Sequence, residues 1–228
     1  MEGVLAIYES SIGKKVVMAA TGFILVGFVI VHMLGNLKVF AGPEKFNAYA
    51  AFLREAGAPA LGHEQLLWIA RVVLLGSVGL HMLSAWQLTQ ASWAGRPTAY
   101  TRKEAVEATY AARTMRWGGV IIALFVLYHI LHFTLGAVGY APGQFRDADV
   151  YGNVVKGFRV WYVSAFYIAA MLLLGLHLSH GVWSMFQTLG LNGPGSDRFF
   201  RRLATAIAAV VVIGNISIPA AVLAGLVR

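Results

Sequence analysis

Five long apolar runs, separated by shorter polar stretches, dominate the pattern of this chain. They cover about residues 16–37, 66–92, 117–139, 160–189 and 203–227. A helix that spans a bilayer needs about 20 mostly apolar residues. A bilayer interior admits only helices or closed barrels, and these runs are too long for barrel strands. The pattern therefore predicts an all-α integral membrane protein, with five transmembrane helices bundled in a single domain that covers residues 1–228.

The segments between the runs are predicted to be loops. They lie at 38–65, at 93–116, where the loop is basic, and at 140–159, where it is rich in Gly, Asp and Asn; a short link, GPGSDRFFRR, precedes the fifth run. The N-terminal MEGVLAIYESSIGKK lacks the pattern of a cleaved signal peptide, so we expect the first run to be retained.

Composition supports a membrane protein and excludes several kinds of site. The chain is 58% hydrophobic and 12% charged, whereas soluble domains carry about 25% charged residues. It has no cysteine, which excludes disulfides, iron–sulfur ligation and the cysteine attachment of c-type haem. The net charge is +8, but the basic residues cluster beside the apolar runs. That placement is typical of topology signals and contacts with membrane lipid, and no base-reading motif predicts a nucleic-acid partner.

The distribution of Lys and Arg predicts the orientation. Ten of the 18 fall on the side of the N-terminus and eight on the other, and the clusters on the first side are tighter. Since cytoplasmic loops carry the excess of positive charge, the N-terminus is predicted to be cytoplasmic.

Six of the seven histidines lie inside apolar runs. Ionisable residues within a membrane are rare and tend to face the bundle interior. A single one is more often an interhelical hydrogen-bonding group than a ligand, but neutral imidazole is also the usual axial ligand of b-type haem. Histidines in four consecutive runs favour two haems, each between two helices. The six are His32, His81, His129, His132, His177 and His180.

The depth of each histidine predicts how they pair. At 1.5 Å rise per residue, His32 and His129 lie roughly 24 and 20 Å from the inner ends of their runs. By the same rise, His81 and His177 both lie roughly 18 Å from theirs. The spacing therefore predicts an outer haem between His32 and His129, and an inner haem between His81 and His177.

Other histidines, arginines and glycines of the runs have more than one possible interpretation. His132 and His180 each follow another histidine by three residues, on the same helix face; the second of each pair could bond a propionate, a quinone or a backbone carbonyl. Arg71 and Arg159, near the outer ends of their runs, could pair with propionates or act as snorkelling anchors. Several glycines suit either a flat macrocycle or close helix packing. They are Gly22, Gly27, Gly76, Gly79, Gly118, Gly119, Gly175 and Gly181.

Long segments of the chain resemble a known family. It is the b558-type cytochrome b subunit of succinate dehydrogenase and fumarate reductase, a single-chain, five-helix anchor with two haems. The resemblance covers nearly the whole chain, roughly residues 10–225. It is carried by SSIGKKVVMAATG, VHMLGNLKVFAGPEKFNAYAAFLR, GLHMLSAWQLT with RPTAY, RTMRWGGVIIALFVLYHILHFT and GLHLSHGVWSMFQTLGLN.

The resemblance implies an electron relay in the bacterial inner membrane that performs no dicarboxylate chemistry itself. In the family, a flavoprotein with covalent FAD and an iron–sulfur protein dock on the cytoplasmic face, and electrons from succinate reach a quinone, usually menaquinone. The implied ligands are His32 with His129 for the haem distal to the iron–sulfur subunit, and His81 with His177 for the proximal one. Here the family pattern favours His129, which follows an aromatic residue, and His177, four residues before a glycine.

The resemblance raises two further features, a proton route and a quinone site. Some relatives are thought to move protons with a carboxylate on helix four, but no Asp or Glu lies between Arg159 and Asp197. We expect such a route to be missing or differently built. Quinone-site candidates near the outer side are each more simply ordinary loop or interface residues. They are Asn36, Lys38, Tyr49, Glu64 and His132.

Two other classes of protein share part of this pattern. Di-haem subunits of hydrogenase, formate dehydrogenase or nitrate reductase, and b561-type cytochromes, would share the haems but not the long motifs of the first and fourth runs. A haem-free transporter could use histidines as proton relays. It should have carboxylate partners or broken helices at the midplane, and the runs contain no carboxylate.

Overall fold

The five predicted spans are helices. The computed structural model describes residues 8–95 and 110–228, in which all regular structure is helical. Five helices are long and apolar enough to cross a membrane, which confirms the all-helical class and indicates a multi-pass membrane protein. They are α1 (Ser11–Asn36), α3 (Gln65–Ala94), α4 (Tyr110–His129), α6 (Trp161–Thr188) and α7 (Asp197–Leu223). The RPTAY motif and most of the basic segment lie outside the described residues.

Two of the segments predicted as loops contain helices, so that part of the prediction was wrong. A 3₁₀ turn (Leu37–Ala41) and helix α2 (Pro43–Glu55) follow α1, and helix α5 (Val150–Arg159) precedes α6. Pro43 opens α2, where a missing backbone N–H costs nothing. The Asp149 carboxylate caps α5 by accepting from the Gly152 N–H at 2.9 Å. Both helices are too short to span a bilayer, so a search for long apolar runs passes over them.

The third span ends earlier than predicted. At Ile130, α4 passes into a π turn that ends at Thr134, five residues before the predicted end at 139. The Leu135 N–H donates to the Ile130 carbonyl, five residues back, at 3.0 Å. Gly136 and Gly139 then adopt φ of 59° and 82°, a left-handed conformation that glycine accepts and other residues avoid. Short π turns inside helices often occur at functional sites.

Helices α6 and α7 form the centre of the bundle. Their contact is the most extensive between any two described helices, α1 packs against α3, α6 and α7, and α4 packs against α6. In the apolar stretches of α6 and α7, 33% of residues are buried, but only 6% in α3. The close approach of α6 and α7 needs Gly175, since a Cβ there would lie 2.5 Å from Val212 Cγ2.

Helices α2 and α5 contact each other at the end of the bundle opposite Ser11, which we call the far end; the end with Ser11 is the near end. Asn47 on α2 links them, because its Oδ1 accepts from the Tyr151 N–H at 2.9 Å and its Nδ2 donates to Asp149 Oδ1 at 3.2 Å. Arg54 donates to the Asp147 carbonyl at 3.3 Å. These bonds tie together two segments about a hundred residues apart in sequence.

Candidate functional site

Two pairs of histidine rings face each other across the bundle. His81 on α3 lies beside His177 on α6, with ring centroids 6.3 Å apart. His32 on α1 lies beside His129 on α4, with centroids 5.8 Å apart and planes at 90°. The structure thus brings together the two pairs that depth counting predicts, with the first pair nearer the near end.

The helices that carry each pair do not pack closely. Contacts of α1 with α4, and of α3 with α6, are few in the described residues, whereas α1 packs on α3 and α4 packs on α6. The histidine side chains therefore reach across gaps between helices. In the isolated chain, His32 is exposed and the other three are half-buried: His81, His129 and His177. The rings therefore line accessible gaps between helices and are not enclosed in a packed core.

The surroundings of His81 fix its tautomer. Its Nδ1 lies 3.1 Å from the Met18 carbonyl and 3.3 Å from the Thr21 hydroxyl oxygen, both on α1. The Thr21 hydroxyl donates its own proton to the Val17 carbonyl at 2.7 Å. Both neighbours of Nδ1 are therefore acceptors, so Nδ1 carries the proton and Nε2 keeps a free lone pair. A second hydrogen-bonded nitrogen of this kind is typical of metal-binding histidines.

One ring nitrogen of His177, Nδ1, is buried without a hydrogen-bond partner in the part of the chain that the structure describes. Buried polar atoms without a partner are rare in native structures and often mark a functional group or an unseen ligand. Beside the ring, a Cβ at Gly119 would lie 3.8 Å from His177 Cε1.

Aromatic side chains contact both rings of the far-end pair. His32 stacks on Phe28 at 5.1 Å and 21°. His129 contacts the rings of Phe125, Phe133 and Tyr167, at centroid distances of 5.9, 5.8 and 5.9 Å. This apolar surrounding suits a neutral imidazole.

The neighbouring histidines do not face either pair. His132 is fully buried and its Nδ1 lies 3.0 Å from the Tyr167 hydroxyl. His180 packs against Trp183, with centroids 5.6 Å apart. The geometry therefore agrees with the preference for His129 over His132 and for His177 over His180, while ligation itself stays a prediction.

The two predicted propionate partners are exposed and do not join the histidines. The Arg71 guanidinium lies over the Trp68 ring at 4.7 Å, and Arg159 ends α5. Neither forms a hydrogen bond or an ion pair with a paired histidine in the described part of the chain. Their roles as propionate partners or as anchors remain open predictions.

The glycines divide between the two predicted roles. Gly175 serves close helix packing. A Cβ at Gly22 would lie 3.5 Å from His81 Cε1, so Gly22, like Gly119, borders a paired ring. For four others, a Cβ would meet no atom of the described residues within 4 Å, which leaves space beside the helices in that part of the chain. They are Gly27, Gly76, Gly79 and Gly118.

The donor set suits a metal whose other ligands come from a cofactor. No three His, Cys, Asp or Glu side chains gather into a metal site among the described residues, so each candidate site offers two imidazoles. With a metal–nitrogen bond of about 2 Å, and about 1 Å from nitrogen to ring centre, two imidazoles that held one metal ion between them would have ring centroids roughly 6 Å apart. The observed 6.3 and 5.8 Å fit that separation. Each pair could therefore ligate a haem iron, for which a macrocycle supplies four nitrogens.

The predicted quinone-site candidates make ordinary local contacts. Glu64 pairs with Arg54 at 3.3 Å, and Lys38 lies over the Tyr49 ring at 5.1 Å. Asn36 ends α1. His132 is fully buried and cannot contact a quinone without rearrangement of its surroundings.

Sequence reasoning missed the partners of the paired rings. Tyr167 on α6 and Thr21 on α1 contact His129 and His81, respectively. A hydroxyl inside an apolar run, at the same depth as a histidine, could have indicated these contacts. Depth alone, however, does not give the direction of a side chain around its helix.

Comparisons of this chain with protein-family models, curated proteins and solved structures find no match.

Proposed function

We propose that this chain is the di-haem cytochrome b anchor of a succinate:quinone oxidoreductase. It would relay electrons from an iron–sulfur subunit to a membrane quinone, and the family resemblance favours menaquinone. The single observation that carries the proposal is the placement of two facing imidazole pairs at two levels of an apolar helix bundle.

The residues of each pair have distinct tasks in this proposal. His81 and His177 would hold the near-end haem, and His32 and His129 the far-end one. Bound haem b supplies reversible one-electron transfer. The Met18 carbonyl and the Thr21 hydroxyl orient His81 and leave its Nε2 free to bind iron, while aromatic side chains keep water from His129.

The partners and location follow from the same proposal. The flavoprotein and iron–sulfur subunits would dock at the near end, in the cytoplasm, with the chain in a bacterial inner membrane. Basic residues at that end support such docking: Lys14, Lys15, Arg198 and Arg202 lie there, and Arg201 pairs with Asp197 at 2.6 Å. The positive-inside rule alone also accounts for these charges.

Haem content tests the proposal directly. We expect two haems b per purified chain, by a reduced-minus-oxidised spectrum and pyridine-haemochrome quantitation. His32→Ala and His177→Ala should each remove a different haem, because each deletes one axial ligand. His180→Ala is the matched control, since it removes a histidine of α6 whose ring packs on Trp183 and, among the described residues, faces no other histidine ring; it should keep both haems. An unsubstituted chain without haem, or full content in both ligand variants, would refute the proposal.

Partner capture separates this function from other di-haem cytochromes. The tagged chain, solubilised in mild detergent, should co-purify with a flavoprotein that contains covalent FAD, and the complex should reduce a quinone with succinate. Co-purification with a hydrogenase, formate dehydrogenase or nitrate reductase catalytic subunit would instead assign the chain to one of those enzymes.

A further inference from the structure

The Tyr167 hydroxyl lies between two imidazoles at the far end of the bundle. It is 3.0 Å from His132 Nδ1 and 3.4 Å from His129 Nδ1. The Tyr167 side chain is 5% exposed, so water does not compete for these bonds. Tyr167 belongs to α6, whereas both histidines belong to α4 and the π turn that follows it. One hydroxyl therefore joins two helices through two rings.

The single proton of this hydroxyl restricts how the three groups can be arranged. A neutral imidazole carries its proton on one nitrogen and accepts at the other. If His129 is to bind iron through Nε2, its Nδ1 must carry the proton and donate to the Tyr167 oxygen. The Tyr167 hydroxyl then donates a hydrogen bond to His132 Nδ1, so His132 carries its own proton on Nε2. If Tyr167 instead donated to His129 Nδ1, the His129 proton would lie on Nε2, and that nitrogen could not bind iron.

The surroundings of His132 keep its Nδ1 directed at Tyr167. Its ring lies between two glycines: a Cβ at Gly139 would lie 2.6 Å from His132 Cδ2, and one at Gly157 2.9 Å from its Nε2. The Phe133 ring packs against it with centroids 4.1 Å apart. A larger residue at either glycine would therefore displace the ring.

The other nitrogen of His132 contrasts with its Nδ1. Its Nε2 is buried without a hydrogen bond in the described residues, in a side chain that is fully buried. Burying a polar group without a hydrogen-bond partner is unfavourable. Among the described residues, the hydrogen bond that fixes the His132 ring is therefore the contact of its Nδ1 with Tyr167.

We propose that Tyr167 is a positioning residue for His129: it sets the tautomer and orientation of that imidazole, with His132 as the acceptor of the tyrosine proton. The inference rests on the proposed function, because it assumes that His129 binds haem iron. A hydrogen bond from the second nitrogen of a ligating histidine raises the basicity of the ligand. With haem bound, a more basic His129 would stabilise ferric iron and lower the reduction potential of the far-end haem.

The test is a potentiometric titration of the purified complex that carries Tyr167→Phe. Optical spectra monitor the reduction of each haem during the titration. The substitution keeps the ring and removes only the hydroxyl. We expect both haems to be retained, the potential of the far-end haem to rise, and that of the near-end haem to stay unchanged. A tenfold loss in the relative stability of the ferric form corresponds to 59 mV for a one-electron couple.

Tyr128→Phe is the matched control. Tyr128 packs in the same aromatic cluster, with its ring 5.5 Å from His132 and 6.1 Å from Tyr167, but its hydroxyl forms no hydrogen bond to either histidine in the described residues. If Tyr167→Phe leaves the far-end potential unchanged, or if Tyr128→Phe shifts it equally, the inference is overturned.

A second variant covers the case in which Tyr167→Phe does not fold. His132→Phe removes the acceptor of the tyrosine proton and should also change the far-end potential alone; no change would overturn the inference. The near-end haem reports folding in every variant. An unsubstituted chain that binds no haem would instead refute the proposed function, and this inference with it, before any variant is compared.

Discussion

A single hydroxyl group, that of Thr21, completes the hydrogen bonding of His81. Thr21→Val keeps the side-chain shape but removes one of the two acceptors of the His81 Nδ1 proton, while the Met18 carbonyl remains. Loss of one such bond is worth about 1 kcal/mol, so we expect the near-end haem potential to rise on the order of 40 mV. A potentiometric titration measures it. Thr205→Val, which removes a hydroxyl bonded to the Arg201 carbonyl on α7, should shift neither haem.

For single residues, the sequence predicts the depth of a side chain in the membrane better than its direction around the helix axis. The fixed rise per residue made the depths of His32, His81, His129 and His177 countable, and the same pairs face each other in the structure. The direction of a side chain depends on helix rotation, which neighbouring helices determine. For that reason Tyr167 could not be assigned to His129 before its helix was placed.

The cap of helix α5 provides a pH-dependent prediction at the scale of one element. Hydrogen bonds from the Gly152 N–H, then from Asn47, lower the pKa of Asp149 below its ordinary value of 3.8. A carboxylate with a lowered folded-state pKa stabilises the fold above its unfolded pKa, and that contribution is lost as the pH falls through the folded value. We therefore expect the Asp149 cap to weaken below about pH 4. Hydrogen exchange of the α5 amides at pH 7 and pH 3 measures it.

Two substitutions separate the cap from its charge. Asp149→Asn keeps an N-cap acceptor without a titrating group, so the α5 amides should lose this part of their pH dependence. Asp149→Ala should weaken the helix by about 1 kcal/mol at pH 7. Equal protection in Asp149→Ala and the unsubstituted chain at pH 7 would show that Asp149 does not stabilise α5.

Elements outside the long apolar runs were the least predictable part of the fold. Hydropathy identified all five spans but missed α2 and α5, because each is short and carries polar residues for contacts at the far end. It also extended the third span to 139, since LGAVG remains apolar while Gly136 and Gly139 leave the helical conformation. Apolar content reports burial or lipid contact, and it does not report where a backbone stops being helical.

At the scale of the whole molecule, the sequence predicts how many times the chain crosses the membrane but leaves the packing order open. The central place of α6 and α7 depends on contacts such as that of Gly175 with Val212. Large apolar side chains on the outer surface of the described bundle are instead exposed: Leu75, Trp117 and Ile213 are 76%, 76% and 69% exposed. A lipid-facing surface and a helix–helix surface are equally apolar, so hydropathy does not distinguish them.

The orientation of the bundle is open to a direct test, because the chain has no native cysteine to interfere with labelling. Ala148→Cys places an exposed thiol at the far end, and Gly195→Cys places one in the link between α6 and α7 at the near end. Since the near-end Lys and Arg clusters predict a cytoplasmic location, a membrane-impermeant maleimide should label Ala148→Cys in spheroplasts. It should label Gly195→Cys only after the membrane is permeabilised. The reverse result would place the N-terminus outside, and the proposed docking of an iron–sulfur subunit would then have to occur at α2 and α5.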